Sequence, residues 1–332
     1  MRDFAPDWER WLPRGYAGRV AVQTSQGCPF TCKFCDFRLM NRTDYKPLGV
    51  LREELRALHA IGVRKIDFVD DLFTLPEERL VEVCRMILDE GWDFDWFCLS
   101  RSSGLSEGAV RLMAEAGCTM VNVGMESADP VVLANMSKNT RVDEARRQVE
   151  AFGRHGITVF TNIILGYPGE TDESIGRTIR FLNETGVHAY FLNLFQVGRG
   201  TIVDAPEYRE RFALVGENEL WSHRTGTSLE FAGKMSEFAD QVSGAVLRLG
   251  GLEDMQMLMN GGYTRPQLAA LAPLMQGLAE CARTSAGAPA HAIQRSRELL
   301  DQLACLERAR GSLPEDSPTK VRAGTAQAAT GR

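Results

Sequence analysis

Between Arg19 and Val197 a short apolar, β-rich run followed by an amphipathic helical run recurs six times. The apolar runs are Val20–Thr24, Lys65–Val69, Phe94–Leu99, Thr119–Val123, Thr158–Leu165 and Ala189–Phe195. Between them apolar residues fall at helical spacing: Leu51, Leu55, Leu58, then Leu80, Val83, Ile87, later Ala145, Val149, Phe152, and last Ile175, Ile179, Leu182. This alternation of periods is what βα units of a parallel sheet require, since each strand is covered by the helix that follows it. Gly62, Gly91, Gly117, Gly156 and Gly186 stand where the helices should stop, and Thr74 with Glu77 brackets Pro76 in a capping-box pattern.

Six such units, at roughly 30-residue spacing, are too few for a closed eight-stranded barrel of about 250 residues. The expected class is therefore α/β, a partial (β/α)6 TIM-like barrel over residues 18–200, with an N-terminal arm at 1–17. Beyond Gly200 the pattern turns helical and rich in Met, Leu and Ala, as in Met235–Leu249 and Ile293–Leu306, with Gly250-Gly251 and Gly261-Gly262 between them. We read 201–311 as a mostly helical substrate or cap region. Residues 312–332 carry Ala, Gly, Thr and Pro without periodicity, which predicts a disordered tail.

Composition narrows the function. With 44% hydrophobic and 25% charged residues and a net charge of -6, the chain is globular and lacks the broad basic surface of a nucleic-acid binder. No run approaches the ~18 apolar residues of a membrane span, and the opening MRDFAPDWERWLPRGY is too acidic and aromatic for a signal peptide, so a cytoplasmic protein without membrane contact is expected.

Three of the eight cysteines, Cys28, Cys32 and Cys35, lie in one short segment, Gly27-Cys28-Pro29-Phe30-Thr31-Cys32-Lys33-Phe34-Cys35, and the other five are scattered. That distribution favours metal over disulfides. Cys84 belongs to the apolar stripe Leu80, Val83, Cys84, Ile87, Leu88 and reads as core, while Cys281 and Cys305 have no nearby cysteine or histidine at ligand spacing. The loop directly follows the first strand, at the strand's C-terminal end, where barrel active sites sit. Three thiolates can hold three irons of a cubane and leave the fourth iron open to a chelating ligand. Zinc is the alternative, but it favours four ligands and no local fourth Cys or His completes a tetrahedron.

At this point the chain resembles the radical S-adenosylmethionine (SAM) superfamily, whose C-x3-C-x2-C motif is matched by Cys28, Cys32 and Cys35, with the aromatic Phe34 before the third cysteine. The likeness covers roughly residues 18 to 200 and implies a [4Fe-4S] cluster and SAM. In that family a reduced cluster cleaves SAM to methionine and a 5'-deoxyadenosyl radical, which takes a hydrogen atom from the substrate. By the same resemblance, Asp70 or Asp71 in Val69-Asp70-Asp71 stands where the family receives the SAM amino group, although its Gly-Gly-Glu-like segment is absent. Gly124-Met125-Glu126-Ser127 resembles the G-I-E-S segment, placing Glu126 and Ser127 near the ribose hydroxyls or the methionyl group. Asn162 to Thr171 is similar to I-x-G-x-P-G-E-T, with Ile164 and Gly166 beside adenine, and Gln196 and Val197 fall where backbone groups meet the adenine edge.

Arg101, ending the third strand, is a fork for the SAM carboxylate or an anionic substrate, with an ordinary solvated arginine as the alternative. Cys98 and Cys118 are conceivable hydrogen-atom donors, and His223 and Arg224 are candidates for substrate contact or acid–base work. Val22 to Phe30, Asp70 to Thr74 and Trp221 to Thr225 look most like the branch of cobalamin-binding radical SAM methyltransferases and cyclases. That branch carries an N-terminal cobalamin domain, whereas 27 residues precede Cys28 here and none of the five histidines has Asp two residues before it. The expectation is thus a cobalamin-independent enzyme tailoring a small molecule such as a natural-product intermediate, reduced by a low-potential donor such as flavodoxin or ferredoxin. Three alternatives stay open: cobalamin supplied separately to a methyltransferase or cyclase, an iron–sulfur electron-transfer or regulatory protein, and a tRNA-modifying enzyme, which the acidic composition weighs against.

Overall fold

The computed structural model describes residues 5–36 and 43–247, together with Gln294 and Glu298. In chain order the strands are β1 (Arg19–Val22), β2 (Ser25–Gln26), β3 (Asp44–Tyr45), β4 (Lys65–Phe68), β5 (Asp95–Arg101), β6 (Cys118–Glu126), β7 (Thr158–Leu165), β8 (Ala189–Leu194), β9 (Val215–Glu217), β10 (Leu220–His223), β11 (Gly226–Thr227) and β12 (Val246–Leu247). The helices are α1 (Trp8–Trp11), α2 (Leu48–Ala60), α3 (Glu77–Asp89), α4 (Glu107–Glu115), α5 (Pro130–Asn135), α6 (Val142–Arg154), α7 (Asp172–Glu184), α8 (Pro206–Phe212) and α9 (Ser228–Gln241).

Seven strands form one sheet in the order β1-β4-β5-β6-β7-β8-β12, with every neighbouring pair parallel. The first six are the predicted ones, and each crossover between them carries helix, as a partial α/β barrel demands. The seventh, β12, is two residues long and left no periodicity to read. The glycines at the helix ends do what was expected: Gly62, Gly91, Gly117, Gly156 and Gly186 follow α2, α3, α4, α6 and α7 with φ of 96°, 67°, 92°, 77° and 75°, the left-handed turn that stops a helix.

Three expectations need correcting. Helix α3 begins at Glu77, after Pro76, and Thr74 does not cap it; Thr74 Oγ1 meets Ser100 Oγ at 3.2 Å, while Glu77 accepts from Ser106 N–H and Oγ. The region after Gly200 is not simply helical, since β9, β10 and β11 form an antiparallel sheet there. The helix expected over Met235–Leu249 starts earlier, at Ser228, and ends at Gln241, after which β12 joins the barrel sheet. The compact unit holding the barrel accordingly runs to Leu247, past the expected boundary at 200. Ile293–Leu306 and the tail at 312–332 lie outside the described residues, apart from Gln294 and Glu298. Among the described residues no helix is long and apolar enough to cross a membrane.

Strand alternation divides the sheet into two faces. Val20, Val22, Ile66, Phe68, Trp96, Cys98, Val121, Val123 and Val159 are buried toward the helices, against stripes such as Leu80, Val83, Cys84 and Ile87 of α3, though Leu88, 40% exposed, falls off that stripe. Each of the larger of these side chains contributes roughly 2 kcal/mol by leaving water. The opposite, inner face carries the registered rows Leu99, Asn122, Phe160 and, one level nearer the strand ends, Arg101, Gly124, Asn162, Phe191. At its floor Arg19 pairs with Asp67 at 2.5 Å and with Asp95 at 3.5 Å.

Candidate active site at the barrel mouth

The cysteine segment leaves β1 through a turn tied down by two carboxylates. Asp70, 1% exposed, accepts from Thr24 N–H at 2.6 Å and from the Thr24 and Ser25 hydroxyls at 2.5 and 2.8 Å. Asp71 Oδ2 accepts from Gly27 N–H at 2.7 Å, where Gly27 turns with φ 85°. Both aspartates thus anchor the segment that enters the loop. Asp70 spends three hydrogen bonds on the Thr24–Ser25 turn, two of them on Oδ2, while Asp71 keeps Oδ1 outside its bond to Gly27.

Inside the loop, Cys35 N–H donates to Cys32 C=O at 3.2 Å, and Lys33 is held from both sides: its N–H donates to Met136 C=O at 2.9 Å and its C=O accepts from Val203 N–H at 3.2 Å. Cys32 is buried; Cys28 and Cys35 are half-buried. Burial pushes the Cys28 thiol up, opposed by the Phe30 N–H it faces. Phe34 stands edge-on to Tyr167, with ring centres 6.2 Å apart. Among the described residues no three Cys, His, Asp or Glu side chains converge to share one metal ion. A cubane does not need them to, because it takes one thiolate per iron.

Three inward side chains surround this loop. The Arg101 guanidinium lies 3.8 Å above the Phe30 ring, 6% exposed, and its Nη2 has no hydrogen-bond partner. Glu126 ends β6 with φ 68°, uncommon for a residue with a side chain, and forms a buried ion pair with Lys138 at 3.1 Å. Lys138 escaped the sequence reading. Its direction is set by its neighbours, Ser137 and Asn139, both left-handed at φ 52° and 49°, which fold a tight turn that swings the ammonium inward, 5.9 Å from the Phe34 ring. Gly124 makes room for the pair, as a Cβ there would lie 2.9 Å from both Glu126 Oε1 and Lys138 Nζ. Ser127, grouped with Glu126 by sequence, points elsewhere: fully buried, its hydroxyl accepts from Asp129 N–H at 3.1 Å and faces Thr178 of α7 at 3.5 Å.

At the end of β7 the chain turns at Gly166 with φ 84°. Glu170 Oε2 accepts Gly166 N–H at 2.5 Å, and burial pushes this carboxyl up to about 8, so that it is largely protonated at neutral pH. Ile164 is half-buried on the inner face, beside Asn193 of β8. Val197 was expected to offer its backbone to adenine, but its N–H and C=O both pair with Asn218, at 2.9 and 3.1 Å. Gln196 is exposed, with its side chain on Glu219 at 3.2 Å.

The candidates for direct chemistry fare differently. His223 is buried; its Nε2 lies 2.9 Å from Gly166 O and its Nδ1 accepts from Thr225 N–H at 3.3 Å. Burial holds the ring below the usual histidine range and hence neutral, and both nitrogens are committed, which replaces the acid–base role with a structural bond. Arg224 is exposed and donates to Arg211 C=O at 3.2 Å, away from the mouth. Cys98 is fully buried and stands three residues before Arg101, so strand alternation puts it on the opposite, helix-covered face, among Cys84 and Cys118. Its thiol is driven up by burial and by the neighbouring Cys118, and a radical-quenching part for either cysteine finds no support in this placement.

The residues present fit a cluster with SAM. Three thiols share one loop, and a buried guanidinium with an unpartnered N–H group stands over that loop, as an anionic ligand requires. Among the described histidines, His59 pairs with Asp93 at 2.9 Å, His188 accepts Val159 N–H and His223 is bound as described, while His155 Nε2 is buried without a hydrogen-bond partner, 3.6 Å from Glu107.

Comparison with known proteins agrees with the geometry. Residues 22–182 match the model of the Radical SAM superfamily. A protein of Pyrococcus horikoshii described as an uncharacterized methyltransferase, PH0819, is 34% identical over 169 residues, 50% of this chain and 37% of its own length. The anaerobic magnesium-protoporphyrin IX monomethyl ester cyclase of Rubrivivax gelatinosus is 25% identical over 188 residues, 54% of this chain and 33% of its own. The match therefore spans about a third of the length of these relatives. Among solved structures, the radical SAM methyltransferase TsrM of Kitasatospora setae superposes with a TM-score of 0.52 at 21% identity, over 57% of this chain and 38% of that one, a likeness of fold. With a match that begins in the strand feeding the cysteine loop and ends in α7, over a sheet that gathers those cysteines at its mouth, this chain belongs to the radical SAM superfamily of enzymes, whose cofactors are a [4Fe-4S] cluster and SAM.

Proposed function

We propose that Cys28, Cys32 and Cys35 hold the cluster, and that the enzyme acts on a small molecule within the group of methyl-transferring and ring-forming radical SAM enzymes. The observation that carries this reading is the meeting of the three-cysteine loop with Arg101 and the Glu126–Lys138 pair at the strand ends. When bound, the cluster and SAM supply one-electron cleavage of the sulfonium to a 5'-deoxyadenosyl radical. The chain's own residues do the holding: Arg101 receives the SAM carboxylate or an anionic substrate group, Asp71 the ammonium, and Glu126, fixed by Lys138, the ribose hydroxyls. Ile164 and Gly166 wall the adenine, and Gln196 lies at its edge. A low-potential donor such as flavodoxin or ferredoxin is the reductant, and natural-product tailoring is the setting we favour.

The relatives shift the balance between the two readings of the reaction. Their described activities, methyl transfer and cyclisation, favour partnership with cobalamin over the cobalamin-independent hydrogen abstraction expected from sequence, and TsrM has been solved with cobalamin and a [4Fe-4S] cluster bound. In this reading the corrinoid is a further cofactor, which can be given to the reconstituted protein or withheld from it. Anaerobically reconstituted protein, given reductant and SAM with or without hydroxocobalamin, tests this. S-adenosylhomocysteine formed only with the corrinoid supports the cobalamin reading. Identical 5'-deoxyadenosine yields with no S-adenosylhomocysteine would return the case to direct hydrogen abstraction.

A further inference from the structure

We infer that Trp221 and His223 form a paired clamp that fixes the ends of β7 and β8 relative to each other and so sets the fit of the adenine ring. The inference rests on the proposal above that adenine lies against Ile164, Gly166 and the Gln196 segment.

Trp221 and His223 are alternate residues of β10 and face the same way. Their rings stack with centres 4.8 Å apart and planes within 8°. Each donates one ring N–H to one backbone carbonyl, Trp221 Nε1–H to Phe195 C=O at 2.7 Å and His223 Nε2–H to Gly166 C=O at 2.9 Å. The tautomer follows from the partners, since Nδ1 accepts Thr225 N–H and the proton must then sit on Nε2. The two carbonyls belong to the residues that leave β7 and β8. The ladder between those strands closes with Leu165 beside Leu194 and with Phe195 N–H donating to Leu165 C=O at 2.8 Å. Past that point the stacked rings link the two strand ends.

The clamp also presses on the turn itself. A Cβ at Gly166 would lie 2.7 Å from Trp221 Cη2 and 3.0 Å from Phe231 Cγ, so the rings pack directly on this residue's backbone. Glu170 holds the Gly166 N–H while His223 holds its C=O, leaving the left-handed peptide no freedom to rotate. A slot built this way discriminates by shape, and loss of either N–H should loosen the adenine contact and spare the methionyl end. Trp221 and His223 are positioning residues that act through backbone carbonyls.

Calorimetric titration of the reconstituted full chain with S-adenosylhomocysteine and, separately, L-methionine tests the clamp. His223→Phe and Trp221→Phe keep a ring in the stack and remove one N–H each. Each should weaken S-adenosylhomocysteine about 10-fold while methionine changes less than about 2-fold, as expected for one hydrogen bond that orders a single subsite. The double variant should lose less than the product of the two single effects, because either break opens the same slot. His223→Gln, which restores an N–H near the Nε2 position, should recover most of the loss. Parallel weakening of both ligands, unchanged S-adenosylhomocysteine affinity, or no rescue by glutamine overturns the clamp and leaves the proposed function standing. Wild-type protein that binds no S-adenosylhomocysteine overturns both.

Discussion

Lys138 illustrates how much a single side chain can hold. It and Glu126 are 8% and 9% exposed at the side chain, so each is the other's main compensation for lost water. Lys138→Met should cost about 3–5 kcal/mol in urea denaturation, because Glu126 is left charged and buried, while Lys138→Met combined with Glu126→Gln should recover most of that loss. Equal destabilisation of the single and double variants would contradict the pairing. Glu170 gives a signed pH effect. Its carboxyl is pushed up to about 8 in the fold from an ordinary 4.5, so between those values the folded chain binds a proton that the unfolded chain has released. The contribution of this group is thus full below pH 4.5 and is lost as pH rises through 8. Glu170→Gln keeps an acceptor for Gly166 N–H without the titration, and its melting temperature should fall less between pH 5 and 8 than that of the wild type, by thermal scans across that range. Lys138 left no signal in the sequence, and Glu170, though part of the Asn162–Thr171 motif, gave none of its bond to Gly166. Lys138 is aimed by two left-handed neighbours and Glu170 by a turn, and neither conformation has a composition of its own.

Elements were far easier to read than the bonds that join them. The six strands of the barrel fell where alternation of periods put them, Thr158–Leu165 residue for residue, because apolar runs and amphipathic stripes are properties of consecutive positions. The failures involve partners far apart in the chain. Thr74 and Glu77 make a plausible box locally, but tertiary contacts to Ser100 and Ser106 win. Trp221 and His223 reach carbonyls 26 and 57 residues away, a distance at which sequence patterns say nothing. Where a local box does form, its worth can be measured. Thr171 caps α7 by accepting Ser174 N–H while the Ser174 hydroxyl accepts Thr171 N–H. Thr171→Ala should cost about 1 kcal/mol in chemical denaturation, and no change would mean that Asp172 or water replaces the cap.

At the scale of the whole molecule, the sheet faces explain why the cysteine motif works where it does. The outer face is committed to helices and the floor of the inner face to the Arg19 ion pairs, which leaves the strand ends as the place where polar groups converge. The loop from β1 enters that place held by Asp71, and the β9–β11 sheet closes on the far side over the ends of β7 and β8. Cys28→Ala, Cys32→Ala and Cys35→Ala should each abolish a stable four-iron cluster by iron and sulfide analysis, whereas Cys98→Ala, on the other face, should retain it. SAM can bind such a cluster only if one of its irons is left open by the protein. Electron paramagnetic resonance of the reduced, reconstituted protein before and after addition of SAM examines this directly. A cluster signal whose g values shift when SAM is added is the predicted result. A signal that saturating SAM leaves unchanged would contradict it.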